Sequence, residues 1–339
     1  MTEPLVSAKM ITYNHASFIA QAIEGVIQQK TNFPFEMVIG EDCSTDGTRE
    51  IVFEYQKKYP DIIRVITSDK NVGMTKNSYR TQKACRGKYV AFCEGDDYWH
   101  HQEKLQKQVD YMESHMGCGM LFSDWNVYHN SSSKVISSYN YNNGFRNPMN
   151  FTIEHLISDA EIQPWTCAVM VRRKLYEHIV ENDSYLHQEN NFLMGDCQIW
   201  AELALLSEVT YIPECLVTYR VLDESASWSK DRRKQLRFYM SGYEMKRYLC
   251  DKHKLSEYIR NKTELAWCHY ALQLASIERN ADLADEVRRK KMKFTWKEWL
   301  HYYGAKYLPF YYFYRASILF VNLFRKQPLP WPLNIQHFN

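Results

Sequence analysis

The sequence predicts an α/β fold: a mostly parallel central sheet flanked by helices, with a helical region at the C-terminus. Three observations lead there. Between residues 5 and 93, short apolar runs alternate with segments of helical period, the β-α-β-α-β-α-β order of a parallel sheet. Polar loops close three of these runs, at the strand ends where open α/β sheets bind ligands. Near Lys230 the alternation stops and long helical patterns take over.

Leu5 to Thr12 reads as the first strand and runs into Tyr13-Asn14-His15. From Ser17 to Gln29, Ile19, Ala22, Ile23, Val26 and Ile27 recur at helical spacing. Phe35 to Gly40 is a second strand, ending in Glu41-Asp42-Cys43-Ser44-Thr45-Asp46-Gly47-Thr48, a polar turn that opens a helix through Tyr59. Ser44, Thr45 and Asp46 are its candidate caps. Ile62 to Thr67 makes a third strand and Lys76 to Ala84 a third helix. Arg86-Gly87 then turns the chain into the buried run Lys88 to Cys93. Directly after it, Glu94-Gly95-Asp96-Asp97 crowds three carboxylates into four residues. Such mutual repulsion fits a divalent cation held by oxygen ligands, and an acidic surface turn is the other reading. The strand-end position favours the first.

Composition narrows the function classes. With 42 basic and 40 acidic side chains, a net charge of +2 gives no electrostatic footprint for nucleic acid. The nine cysteines form no C-x-x-C pair, which speaks against a disulfide framework or zinc site and for a reducing compartment. The first residues lack a basic region followed by an apolar one, so no signal peptide is expected and the expected location is cytoplasmic. Neither G-x-G-x-x-G nor G-x-x-x-x-G-K-[ST] occurs, against dinucleotide and Walker-type phosphate sites.

Four pieces in register carry a resemblance: Thr12-Tyr13-Asn14; Glu41-Asp42 with the turn after it; Asn71-Val72-Gly73 with Lys76-Asn77; and Arg86 through Glu94-Gly95-Asp96-Asp97-Tyr98-Trp99. Together they resemble the family 2 glycosyltransferases, whose GT-A fold binds a nucleotide-diphosphate sugar and a divalent metal. The resemblance implies that Thr12, Tyr13 and Asn14 floor the nucleotide pocket. It places Glu41 and Asp42 where the family has paired aspartates facing base or ribose, with Glu at the first position a departure. Lys76 and Asn77 match the family's Arg-Asn near base and ribose. Glu94-Gly95-Asp96 matches its D-x-D, so Asp96 with either Glu94 or Asp97 would meet ribose and a bound Mg²⁺ or Mn²⁺.

Lys104 to Ser114 is amphipathic and Gly119 to Trp125 reads as a strand. Ser131 to Asn150 has little periodicity and is expected to be a loop. Trp165 to Arg172 resembles the segment beneath the acceptor, and Trp165, Trp99 and Trp200 are candidates to stack on an acceptor sugar, with packing the alternative. Gly195-Asp196-Cys197-Gln198-Ile199-Trp200 resembles the family's Gly-Asp-x-x-x-Trp, which carries the general base. Asp196 is therefore the expected base, with helix capping its structural alternative and Glu189 the reserve. Val209 to Ile212 and Cys215 to Arg220 follow as two strands. Tyr219-Arg220-Val221-Leu222 resembles the family's Tyr-Arg-x-His with Leu222 in place of His, which moves diphosphate support to Arg220, Ser225, Ser227 or the metal.

Residues 1–229 are thus expected to form the catalytic domain, about 1–118 for the donor and about 119–229 for the acceptor, and 230–339 the helical region. In that region Arg288-Arg289-Lys290-Lys291-Met292-Lys293 precedes an aromatic run from Tyr307 to Phe324. As a helix the run's roughly 18 residues span about 27 Å, short of a bilayer core. Residues 288–326 suit a helix on an anionic membrane surface, peripheral on the inner face, or an aromatic face docked on protein, a twin subunit included. The expected function is inverting transfer of a sugar, from a UDP-sugar first, to a hydroxyl of a glycan or lipid-linked acceptor in bacterial surface polysaccharide synthesis. The rivals are a glycoside hydrolase and a non-catalytic nucleotide-sugar or glycan-binding module on the same fold.

Overall fold

The computed structural model describes residues 3–158, 163–183, 192–223, 229, 231–310 and 312. Its first half follows the predicted alternation: β1 (Val6–Thr12), α1 (Ile19–Ile27), β2 (Phe35–Glu41), α2 (Thr48–Lys58), β3 (Ile63–Ile66), α3 (Met74–Lys83), β4 (Tyr89–Phe92). Next come β5 (Tyr98–Trp99), α4 (Lys104–Ser114), β6 (Cys118–His129), β7 (Lys134–Ile136), α5 (Tyr139–Asn142), β8 (Met149–Phe151) and α6 (Ile153–Ile157). A 3₁₀ turn (Thr166–Ala168) leads into β9 (Val169–Arg172), α7 (Arg173–Asn182), α8 (Gly195–Leu206) and β10 (Glu208–Val221). Four helices close the described chain: α9 (Arg232–Lys252), α10 (Glu257–Glu278), α11 (Ala281–Lys290) and α12 (Trp296–Lys306).

The strands form one sheet in the order β3-β2-β1-β4-β9-β6-β10-β5, with β7 on β6 and β8 on β10. β3, β2, β1 and β4 are mutually parallel, and β9 enters antiparallel between β4 and β6. The central strands are apolar because they are covered on both sides: Val6, Ala8, Met10, Met37, Ile39, Val90 and Met170 are all buried.

Three expectations are corrected. The two strands expected at 209–212 and 215–220 are one, β10, whose register shifts between Ile212 and Val217, where Pro213 cannot donate a ladder hydrogen bond. Residues 131–150, expected as a loop, hold β7 and α5 and run into β8. Buried Asp124 organises them by accepting the N–H groups of Asn140 and Tyr141. At α2 the N-cap position belongs to Gly47, in the left-handed region at φ 101°, while Asp46 accepts the Thr48 N–H.

The C-terminal helices have a core of their own around Tyr243, Trp267, Ala271, Ala275 and Val287. A separate cluster docks them on the sheet domain, joining Ile153 and Ile157 of α6, Ala201 of α8 and Met245, Leu249 and Ile259. Much of the basic run faces protein: Lys290 pairs with Glu264 and Lys291 with Glu298, while Arg288 stacks on Phe294 and Trp299. Among the described residues no helix is long and apolar enough to cross a membrane. Most of the aromatic run from Tyr307 to Phe324 lies outside the described residues.

Candidate functional site

The carboxyl ends of β1, β2 and β4 bring the predicted loops together. Thr12 is buried with its hydroxyl 3.2 Å from His15 Nδ1, and Tyr13 is exposed. Asn14 adopts a left-handed φ of 56°, accepts the Thr45 N–H at 2.9 Å and donates its own N–H to Ser44. It ties the first loop to the second.

Glu41 and Asp42 are both engaged within the protein. Glu41 Oε1 accepts the Ser44 N–H at 2.6 Å, and Oε2 accepts from Arg49 at 2.7 Å and from the Thr67 hydroxyl at 3.0 Å. Burial pushes the Glu41 carboxyl up, but these bonds outweigh it and hold it below its ordinary range. Asp42 accepts the N–H groups of Val72 and Gly73 and lies 3.3 Å from the Arg80 guanidinium. Lys76 is exposed on α3, whereas Asn77 is buried and donates to the Gly40 carbonyl. Arg80, one helical turn beyond Lys76, donates to the Glu41 carbonyl at 2.8 Å. The motif that pointed to Lys76 does not reach Arg80; the i,i+4 position on the same helix face was the available signal.

The acidic turn is folded tightly against β1. A Cβ on Gly95 would stand 2.6 Å from Thr12 Oγ1 and 2.7 Å from His15 Nδ1. Gly95→Ala should therefore displace both side chains and destabilise the protein by ~1–3 kcal/mol. Urea unfolding checks this, and an unchanged midpoint would show that the turn has slack.

Arg220 anchors the turn from β10. Its Nε donates to the Asp96 carbonyl at 2.8 Å, and its backbone N–H donates to Asp97 Oδ1 at 2.8 Å. Another guanidinium nitrogen donates to Gln21, and the group packs over the rings of Phe18, Tyr98 and Tyr128. Each of its three guanidinium nitrogens donates to a protein oxygen, on Asp96, Asn130 or Gln21, so Arg220 is placed as a clamp on the turn. Ser225 and Ser227 lie outside the described residues.

A cavity of about 320 Å³ opens beside the turn. Glu94, Asp96 and Asp97 line it together with Asp196, Trp165 and Lys9. Asp196, 102 residues away from Glu94 in sequence, thus shares one chamber with the turn. It lies in the first turn of α8, not at the cap, which is Met194; the capping alternative is set aside. The Thr166 hydroxyl donates to Asp196 Oδ2 at 2.6 Å and the Cys197 N–H to Oδ1 at 2.9 Å, fixing the carboxylate. Glu189, the reserve base, lies outside the described residues.

The tryptophans separate. Trp165 stands on the cavity wall against Tyr219, ring centres 4.0 Å apart. Trp99 is 3% exposed and its indole N–H donates to the Phe92 and Cys167 carbonyls, so it is core and cannot stack on an acceptor. Trp200 lines the cavity but is 1% exposed and meets Phe92 edge-on at 5.2 Å, so packing accounts for most of its surface.

Glu94 Oε2 is buried with no hydrogen-bond partner among the described residues. Burial, then the charges of Asp96 and Asp196, push its carboxyl up to about 8. An orphaned carboxylate oxygen in an all-oxygen acidic set fits a hard divalent cation. Asp97 fits less well, since Arg220 occupies its Oδ1, and burial pushes its carboxyl well up. Among the described residues no three His, Cys, Asp or Glu side chains already converge as a complete metal site. Glu94 and Asp96 are the pair that suits one.

The profile described as Glycosyl transferase family 2 matches residues 7–180, from β1 into α7. The chain belongs to that family. An uncharacterized protein of Mycobacterium tuberculosis is 33% identical over 225 residues, 63% of this chain and 58% of the relative, so this chain spans under two thirds of that relative's length. TuaG of Bacillus subtilis, provisionally named a teichuronic acid biosynthesis glycosyltransferase, is 28% identical over 229 residues, 67% of this chain and 83% of its own. Two solved structures share the GT-A fold. S. aureus TarS 1–349 in complex with UDP-GlcNAc has a TM-score of 0.52 at 17% identity, covering 88% of this chain and 79% of its own. The mannosyltransferase PcManGT from Pyrobaculum calidifontis, in complex with GDP-Man and Mn²⁺, has a TM-score of 0.55 at 14% identity, covering 96% and 89%. In this family 2 glycosyltransferase the matched segment holds the acidic turn, whereas Asp196 lies beyond its end.

Proposed function

We propose that this glycosyltransferase is an inverting enzyme that moves a sugar from a nucleotide-diphosphate donor, a UDP-sugar first, to a hydroxyl of a glycan or lipid-linked acceptor in surface polysaccharide synthesis. The observation that carries the reading is the shared chamber: one carboxylate, Asp196, held by Thr166 and Cys197, lines the same cavity as Glu94 and Asp96. An acceptor hydroxyl becomes an effective nucleophile as a positioned base takes its proton, and Asp196 is the side chain to which this reading gives that proton. A hydroxyl attacking the anomeric carbon opposite the leaving diphosphate inverts that centre in one displacement. Glu94 and Asp96 would hold a divalent cation, which when bound supplies positive charge to the departing diphosphate. The wall built from Trp165 and Tyr219 orients the acceptor ring and keeps water from the reacting carbon. TuaG's provisional name supports a surface-polymer acceptor, and the UDP-GlcNAc complex of TarS supports the donor class.

Calorimetric titration with UDP, GDP, dTDP and CMP, each with Mn²⁺ and with chelator, tests the reading. Tight binding of one nucleoside diphosphate, lost with chelator, is expected; no binding of any would sink the donor assignment. The pH dependence has a definite sign. Glu94 keeps its proton up to about pH 8, and a cation must displace it, so Mn²⁺ affinity should strengthen as pH rises toward that value. In the metal-free protein the folded state holds this proton where the unfolded chain has lost it. The contribution of Glu94 to stability should therefore fall as pH rises from about 4.5 to about 8.

A further inference from the structure

Helix α12 has two unlike faces. Glu298, Tyr302 and Ala305 turn toward protein: Glu298 is buried and pairs with Lys291, the Tyr302 hydroxyl donates to Asp285 at 2.7 Å, and Ala305 joins the core of the C-terminal helices. On the opposite side Trp296, Trp299, Leu300, Tyr303 and Tyr307 recur at the spacing of a single helical stripe. The stripe is a ladder of rings. Trp299 stacks on Tyr303 with centres 5.3 Å apart, and Tyr303 meets Tyr307 at 6.1 Å and Phe310 at 5.4 Å. Its first member, Trp296, is 68% exposed, and Met292 in the turn before the helix is 85% exposed. Arg288 ties that turn to the ladder by donating to the Met292 carbonyl while stacking on Trp299. Six large apolar or aromatic side chains between Met292 and Tyr312 stand exposed, a patch that marks an interaction surface.

Charge identifies the partner. From Arg288 to Tyr312 the chain has seven basic residues and one acidic residue, the buried Glu298. Lys290, Lys291 and Lys306 pair with Glu264, Glu298 and Asp285, but Arg289, Lys293 and Lys297 are exposed. The Lys297 ammonium stands 5.7 Å from the centre of the Trp296 ring. Open cations thus flank open rings. The core of a protein interface is depleted in lysine, so this composition argues against a second copy. It matches the headgroup zone of a bilayer, where Trp and Tyr rings lie with polar tips toward water and lysine stems bend toward lipid phosphates. We propose that α12, with the turn before it and residues 307–310 after it, docks on an anionic phospholipid surface. The helix is already packed on its buried face, so docking orders no new element and needs no crossing segment. The contact is narrower than residues 288–326, because Lys290 and Lys291 face protein. Docking holds the transferase at the leaflet where a lipid-linked acceptor would lie, and only that consequence rests on the proposed function.

Co-sedimentation of the full chain with phosphatidylcholine vesicles, with and without phosphatidylglycerol, tests this at low and high salt. Binding to the anionic vesicles should exceed binding to the neutral ones by ~10-fold or more, since each cation near the leaflet contributes roughly 5-fold. It should weaken as salt rises. Lys293→Gln combined with Lys297→Gln should cost ~10-fold or more in affinity for anionic vesicles, and Trp296→Ala should weaken binding as well. All three side chains are exposed, so the urea midpoint and UDP binding should keep their wild-type values. Equal binding of wild type to neutral and anionic vesicles, or binding to neither, would overturn the proposal without recourse to any variant. Anionic binding that the variants leave intact would also overturn it, and would move the contact elsewhere in the chain. Light scattering covers the remaining occupant: a dimer that Trp296→Ala dissociates, with no vesicle binding, would give the patch to a second copy. UDP binding is read separately, so the donor assignment stands or falls on its own.

Discussion

Asp196→Asn should lower sugar transfer by at least ~10²-fold while nucleotide binding persists. The substitution is informative because the structure fixes what changes. Asp196 accepts two hydrogen bonds, from the Thr166 hydroxyl and the Cys197 N–H. Asparagine keeps the shape and one acceptor oxygen, so α8 and the cavity wall should survive with little loss of stability. What disappears is the ability to take a proton. Donor affinity is assigned to the nucleotide loops and the acidic turn, so calorimetry with UDP should read nearly the same for wild type and variant. Product formation in a coupled nucleotide-release assay should not. Thr166→Val, which deletes the hydroxyl that orients Oδ2, should give a smaller loss in the same direction. Wild-type turnover in Asp196→Asn would remove Asp196 from the mechanism; equal losses of transfer and of UDP affinity would make it a binding group.

Much of this site is legible in the chain because its first half is locally determined. Strands covered on both faces read as apolar runs, and their carboxyl ends are marked by polar loops, so the acidic turn after β4 can be placed from sequence. The pairing of that turn with Asp196 needs the family resemblance, since nothing local connects two segments about a hundred residues apart. Other features depend on tertiary partners. Residues 131–150 look irregular because their order comes from the buried carboxylate of Asp124, which accepts backbone N–H groups from α5. Glu41 and Asp42 look like ligand contacts from sequence, yet their oxygens are satisfied by Ser44, Arg49, Val72 and Gly73. A carboxylate at a strand end has two uses, and the sequence does not say which. Lys9 gives no signal of its own, because one charged residue in an apolar strand usually marks an exposed edge; here the strand is central and the lysine faces a cavity.

Arg220 is the position where stability and catalysis should fail together. Its side chain joins three parts of the fold: the acidic turn through the Asp96 carbonyl, α1 through Gln21, and aromatic rings from α1's entry, β5 and β6. The planar guanidinium reaches these together because its donors fan out in one plane while its faces lie against rings. Arg220→Met keeps much of the apolar stem and deletes both the hydrogen bonds and the cation. A loss of about 3 kcal/mol is expected, the scale of a charged hydrogen bond plus a buried cation–π contact. A urea midpoint shifted at unchanged slope would register it. The catalytic consequence follows from the geometry of the turn. Asp96 is held by its own carbonyl, and a shift of about 1 Å there can cost ~10²-fold in rate. Arg220→Lys should rescue little, because one ammonium cannot bond the carbonyl and Gln21 while stacking on three rings. Full activity and stability in Arg220→Lys would mean that charge alone suffices and that the planar clamp is dispensable. Loss of activity at wild-type stability would instead make Arg220 the diphosphate support that Leu222, standing in place of the family's His, leaves open.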